Sequence, residues 1–133
     1  MAEDSVEREN QVAKAVGKVY SGLLTRDEEF LVFVKTPNDF GGSLRELEHI
    51  VRHSSDGFSW GWVDGGASDL ALSILTDLVG AEMAEAHYQD FKLAFIARLN
   101  GDSWEITEAA IREWLGYRQS PECRFLEDGQ EDL

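Results

Sequence analysis

The sequence predicts an α+β fold, and three observations lead there. Two runs rich in β-branched and aromatic residues, KVYSGLL (18–24) and FLVFVK (30–35), flank the polar stretch TRDEE (25–29), the pattern of an antiparallel hairpin. Farther along, apolar residues recur at helical spacing over two long segments, 69–79 and 81–99. Strands and helices do not alternate as a parallel, doubly wound sheet would require, so we expect a hairpin and a third strand packed against three to four helices.

In chain order, residues 1–17 read as an arm or weak helix, because Val6, Val12, Ala13 and Val16 are too widely spaced for a strong stripe. The hairpin follows, and TPNDFGG (36–42) ends its second strand with turn-forming residues. Ser43-Leu-Arg-Glu46 has the form of a capping box. It predicts a helix over LRELEHIVRH (44–53), with Leu44, Leu47, Ile50 and Val51 on one side and SSDG (54–57) as its end. Phe58, Trp60 and Trp62 alternate with Ser59 and Gly61, which predicts the third strand.

Ser68 is the expected N-cap of the next helix, with Asp69 favouring its positive end and Gly65 and Gly66 taking positive φ in a strand-to-helix turn. Leu70, Ala71, Ile74, Leu75 and Leu78 form its apolar stripe, and Gly80 closes it. A helix over 81–99 carries Met83, Tyr88, Phe91, Phe95, Ile96 and Leu99 and stops at Asn100-Gly101. Trp104–Ile106 reads as a short strand, and Thr107 caps a last helix with Ile111, Trp114 and Leu115, ended by Gly116. A chain of 133 residues has room for one comfortable core, so we expect a single domain over 18–116 and a loose acidic tail over 117–133.

The net charge is −14, from 26 acidic and 12 basic residues, and residues 101–133 alone carry −6. Such a field repels nucleic-acid phosphates and anionic lipids, so direct binding to either is not expected. Two readings of the charge stay open: solvation in a salty cytoplasm, which eight Arg against four Lys would fit, or an acidic face that docks on a basic protein. Candidate docking residues are Asp69, Asp77, Glu82, Glu85, Asp102, Glu105, Glu108 and Glu113. Cys123 is the only cysteine, so no internal disulfide forms. With an acidic start, MAEDSVEREN, and no apolar run of membrane-spanning length, the expected compartment is a bacterial or host cytosol.

The loop GWVDGGAS (61–68) has the glycine spacing of a phosphate-binding loop, and Gly65 and Gly66 could let amides converge on an anion. Ala67 stands where the lysine counter-charge belongs, and Asp64 and Asp69 add negative charge, so a conformational role is favoured. His49 and His53 stand four apart on the predicted helix, a spacing that suits a metal, yet no further ligand set accompanies them. They are read as exposed or capping residues, and no cofactor is expected. Cys123 has no neighbouring base and Ser54 beside His53 points another way, so no catalytic group is assigned. Any exposed member of Trp60, Trp62, Trp104 and Trp114 would mark a contact surface. Trp60, Trp62, Asp64, Gly65, Gly66 and Ser68 are therefore the candidate ligand or partner loop.

Several ordered motifs resemble a small family of unknown function. They are His53-Ser54-x-x-Gly57-Phe58-x-Trp60-Gly61, Leu70-Ala71-Leu72-x-Ile74-Leu75, Tyr88-Gln-Asp-Phe91-Lys92 and Trp104-x-Ile106-Thr107, after Lys18-Val-Tyr20-Ser-Gly22. The family pattern is H-S-P-x-G-F-x-W-G-Y-G-G-S-G-P followed by Y-Q-D-F-K, and its members occur in bacterial, plasmid and phage genomes. Here Ser55 replaces a proline, and the glycine loop departs from the pattern at several positions. The resemblance covers roughly 18–115 and implies no catalytic residues. The leading expectation is a non-enzymatic interaction module, an inhibitor from a phage or mobile element that mimics nucleic acid on a basic host protein. The alternatives are a small-ligand or nucleotide-binding protein using 61–68 and His53, or a halophile housekeeping domain.

Overall fold

A computed structural model describes residues 17–37 and 42–119, with side chains to residue 117. Residues 1–16 of the expected arm over 1–17, residues 38–41 of the 36–42 loop, and residues 120–133 of the expected tail over 117–133, Cys123 among them, lie outside the described residues. The chain divides into two compact units, one of Lys18–Glu105 and one whose described part is Gly17 with residues 106–119.

In the larger unit, β1 (Val19–Leu24) and β2 (Phe30–Thr36) form the predicted antiparallel hairpin. Its turn is closed by the Thr25 amide on the Glu29 carbonyl at 2.9 Å and the Glu28 amide on the Thr25 carbonyl at 3.0 Å. Tyr20 faces Val34 and Gly22 faces Val32, and all four are buried, so one face of the hairpin enters the core. Ser21 faces Phe33 and Leu23 faces Leu31 on the other side.

β3 (Ser43–Glu46) pairs antiparallel with β2, and β4 (Ser103–Thr107) completes a four-stranded antiparallel sheet of order β3-β2-β1-β4. The Leu24 amide donates to the Asp102 carbonyl at 2.6 Å where β1 meets β4. The Trp104 indole lies across Gly22, where a Cβ would come within 2.2 Å of the ring. Glycine is thus required there by close approach, and the Trp104 Nε1 is buried with no hydrogen-bond acceptor among the described residues.

Helix α1 (Gly65–Val79) supplies Leu70, Ala71, Ile74 and Leu75, all fully buried, each side chain worth about 1.5–3 kcal/mol for the larger ones. Gly80, at φ 92°, alone separates α1 from α2 (Ala81–Ala94), which adds Ala84, Tyr88 and Phe91 to the core. That positive φ lets the chain turn between two helices without a loop. The predicted helix over 81–99 ends earlier, at Ala94; Phe95 stacks on Phe91 at 4.7 Å, and Ile96–Arg98 form one 3₁₀ turn.

Two predicted elements are corrected. The capping box at 43–46 is strand β3, and 47–64 follows as irregular backbone in place of a helix and a third strand. The reason is visible in its amides. Leu47 donates to the Val32 carbonyl and Ile50 to Ser73 Oγ, both at 2.9 Å, while Arg52, His53 and Ser54 donate to Asp69. Tertiary acceptors occupy the donors that a helix would have used. Leu44 and Val51, expected on a buried stripe, are exposed.

In the smaller unit, α3 (Glu108–Gln119) starts as predicted, with Thr107 Oγ1 accepting the Ala110 amide at 3.1 Å. It runs past Gly116, and Ile111 and Leu115 are buried. No helix among the described residues is long and apolar enough to cross a membrane.

Candidate functional site

The region around the start of α1 is built by two carboxylates, Asp64 and Asp69, and two glycines. Asp64 is the N-cap: its Oδ1 accepts the Ala67 amide at 3.0 Å and the Ser59 hydroxyl at 2.5 Å. The cap therefore lies four residues before the expected one. Ser68 is buried instead, and its Oγ accepts from Lys92 Nζ at 3.0 Å. Two amides that a phosphate would need are already taken, Ala67 by the Asp64 carboxylate and Ser68 by the Asp64 carbonyl.

Gly65 and Gly66 do not have positive φ. Their role is close approach: a Cβ on Gly65 would lie 2.7 Å from the His53 carbonyl, and one on Gly66 2.6 Å from Ser59 Oγ and 2.9 Å from the Gly57 carbonyl. Glycine at these places lets segment 53–59 lie directly on the first helical turn.

Asp69 holds that segment down. It is fully buried, so it is corrected from docking candidate to internal anchor. Its carboxylate takes the amides of His53 at 2.9 Å, Ser54 at 3.0 Å and Arg52 at 3.3 Å, and contacts His49 Nε2 at 2.9 Å. Burial pushes its pKa up, but the His49 hydrogen bond and the three amides outweigh it and hold the group below the ordinary 3.8. An ionised, unpartnered carboxylate at such a place would be prohibitive.

Asp77, two turns on, is also engaged rather than offered outward. It accepts from Tyr20 Oη at 2.7 Å, Lys18 Nζ at 3.2 Å and the Arg45 guanidinium. Burial again pushes upward, and Tyr20, Arg45 and Lys18 bring its pKa below 3.8. Between the two, Ser73 is buried and accepts the Ile50 amide. Asp69, Ser73 and Asp77 thus form a polar row on one side of α1. Their i, i+4, i+8 spacing inside an apolar helix is the sequence signal that would have revealed this role.

His49 and His53 lie on irregular backbone and diverge. His49 meets Asp69 and packs against Phe58 at 4.5 Å, whereas His53 Nε2 meets the Tyr88 hydroxyl at 2.9 Å. Among the described residues no group of three His, Cys, Asp or Glu could hold a metal ion. Of the other docking candidates, Glu85 pairs with Arg52 and Glu108 with Arg112, while Glu82, Asp102, Glu105 and Glu113 are exposed.

The two tryptophans flanking Gly61 have opposite fates. Trp60 is buried edge-on against Phe30 at 4.6 Å and Trp104 at 5.4 Å, and its Nε1 donates to the Gly101 carbonyl at 3.2 Å. Trp62 is 73% exposed and Val63 60%. Their loop is pinned on both sides, by the Gly61 amide on the Ile96 carbonyl at 2.9 Å and by the Ser59–Asp64 hydrogen bond. Gly61, at φ 80°, permits the reversal between a core indole and a solvent-facing one.

No curated protein and no solved structure matches this chain. A family model matches residues 20–117, a span that holds the sheet, the polar row of α1 and the Trp62 loop, and the chain belongs to that family, the family of unknown function DUF6166.

Proposed function

We propose that this protein is an interaction module without enzymatic chemistry of its own, and that the pinned loop 59–64 is its contact element. The observation that carries the reading is Trp62, an exposed indole on a backbone held at both ends. Large aromatic side chains dominate binding hot spots, and a loop already ordered loses little entropy on binding. With a net charge of −14, the favoured partner is a protein with a basic, nucleic-acid-binding face. The resemblance of its motifs to a family expected in bacterial, plasmid and phage genomes favours an inhibitor carried by a mobile element, which covers that face by presenting acidic charge in place of nucleic acid.

Immobilised protein incubated with host lysate at low and high salt tests the reading. A basic nucleic-acid-binding protein, identified by mass spectrometry, should be retained at low salt and released by added DNA. Trp62→Ala should weaken capture about 30-fold, as loss of a hot spot near 2 kcal/mol implies. Equal capture by the variant, or no basic protein at low salt, would sink the proposal.

A further inference from the structure

A second surface combines apolar area with uncommitted negative charge. The sheet face bearing Lys18, Tyr20 and Arg45 meets Asp77 of α1. On the opposite face, Phe33 pairs across the strands with Ser21 on β1 and Glu46 on β3. A concavity of about 530 Å³ opens there, lined by Ser21, Leu23, Phe33, Ser103 and Glu105 over the backbone of Gly22 and Trp104. Ligand sites span about 300–1,000 Å³, so this one is larger than a single side chain requires and suits a short extended segment.

The chemistry of the lining selects the occupant. Leu23 is 46% exposed and Phe33 half-buried, which gives an apolar wall with an aromatic face. The hydroxyls of Ser21 and Ser103 can accept hydrogen bonds. Glu105 is exposed and, like Glu46, makes no ion pair with a described residue, unlike Glu85, Glu108 and Asp77, whose charges are already met. Lys35 is the single cation on this sheet face among the described residues; its cross-strand partners are Leu44 on β3, two residues from Glu46, and Val19 on β1, whereas Glu105 lies on the far edge strand.

We infer that this concavity binds an arginine-bearing, extended basic segment of a partner protein. The alkyl stem of the arginine packs on Leu23, its guanidinium stacks on Phe33, and its N–H groups reach Glu105 and the two serine hydroxyls. Arginine suits the site better than lysine because its planar cation both stacks and forks to a carboxylate. The inference concerns a different surface from the Trp62 loop and stands or falls separately from it.

The test is a nitrogen-15 NMR titration of the full chain with a blocked pentapeptide, Val-Arg-Val-Arg-Val. Saturable shifts should centre on Ser21, Leu23, Phe33, Ser103 and Glu105. The same peptide with citrulline for arginine keeps the shape and loses the charge, and should bind at least about tenfold more weakly. Glu105→Gln should weaken binding about three- to fivefold, the effect of one solvent-exposed ion pair, and added salt should erode the remaining difference. Trp62→Ala should leave the titration unchanged. Shifts that map elsewhere, equal binding of the citrulline peptide, or an unaltered affinity in the folded Glu105→Gln variant would each overturn the inference.

Discussion

Asp69 and Asp77 sit eight residues apart on one helix and anchor different things by different means. Asp69 is fully buried and holds an irregular segment through three backbone amides and one imidazole. Asp77 is 16% exposed and ties strands β1 and β3 to the helix through a phenol and two cationic side chains. Amides fixed in the backbone have little freedom to re-aim. Cationic side chains can swing back to solvent, and their attraction is screened by salt. The same residue type thus serves as an irreplaceable keystone in one place and an adjustable tether in the other.

The largest effect that distinguishes the two is expected from Asp69→Ala. It leaves three amide donors and His49 without their acceptor and should cost about 3–5 kcal/mol in urea unfolding, enough to abolish a cooperative transition in a marginal domain. A loss below 1 kcal/mol would show that segment 47–64 is held by other contacts. Next, Gly65→Ala probes the same junction without touching charge. At an exposed helical position the change would stabilise by about 0.5–1 kcal/mol. Here the Cβ meets the His53 carbonyl at 2.7 Å, and a loss of about 1–3 kcal/mol is expected instead, so the sign alone decides.

Asp77→Asn should cost less, about 1–2 kcal/mol, and the difference from wild type should shrink as salt rises, whereas that of Asp69→Ala should not. The smallest signal is in the pH profile. Both folded pKa values lie below the unfolded value of 3.8, so both carboxylates contribute stability that is complete above that value and lost as pH falls through the folded ones. Wild-type stability should therefore fall below about pH 4, and Asp77→Asn should flatten part of that slope.

Much of the fold was legible. The hairpin could be read because TRDEE is too polar to join two apolar runs in one strand, and the Thr107 cap because its hydroxyl acts within three residues. Segment 43–64 was not, since Leu44, Leu47, Ile50 and Val51 mimic a helical stripe, although of the four only Leu47 falls in the buried core. The candidate site was half legible: the exposed loop lay within 61–68, but nothing local distinguishes Trp60 from Trp62. Phe30 and Trp104 claim Trp60, and neither is near it in sequence.

The sequence by itself determined the α+β class, the two core helices, the strong acidity and the existence of a tight glycine junction after Trp62, because these rest on composition and short-range spacing. Only the tertiary structure decided what that junction is for. The amides of 50–54 choose between their own helix and acceptors on α1, and the buried Asp69 and Ser73 take them, so the helix that Leu44–His53 suggests does not form. Hydrogen bonds between distant segments leave no mark in a local window, and buried polar groups must be satisfied wherever their partners lie.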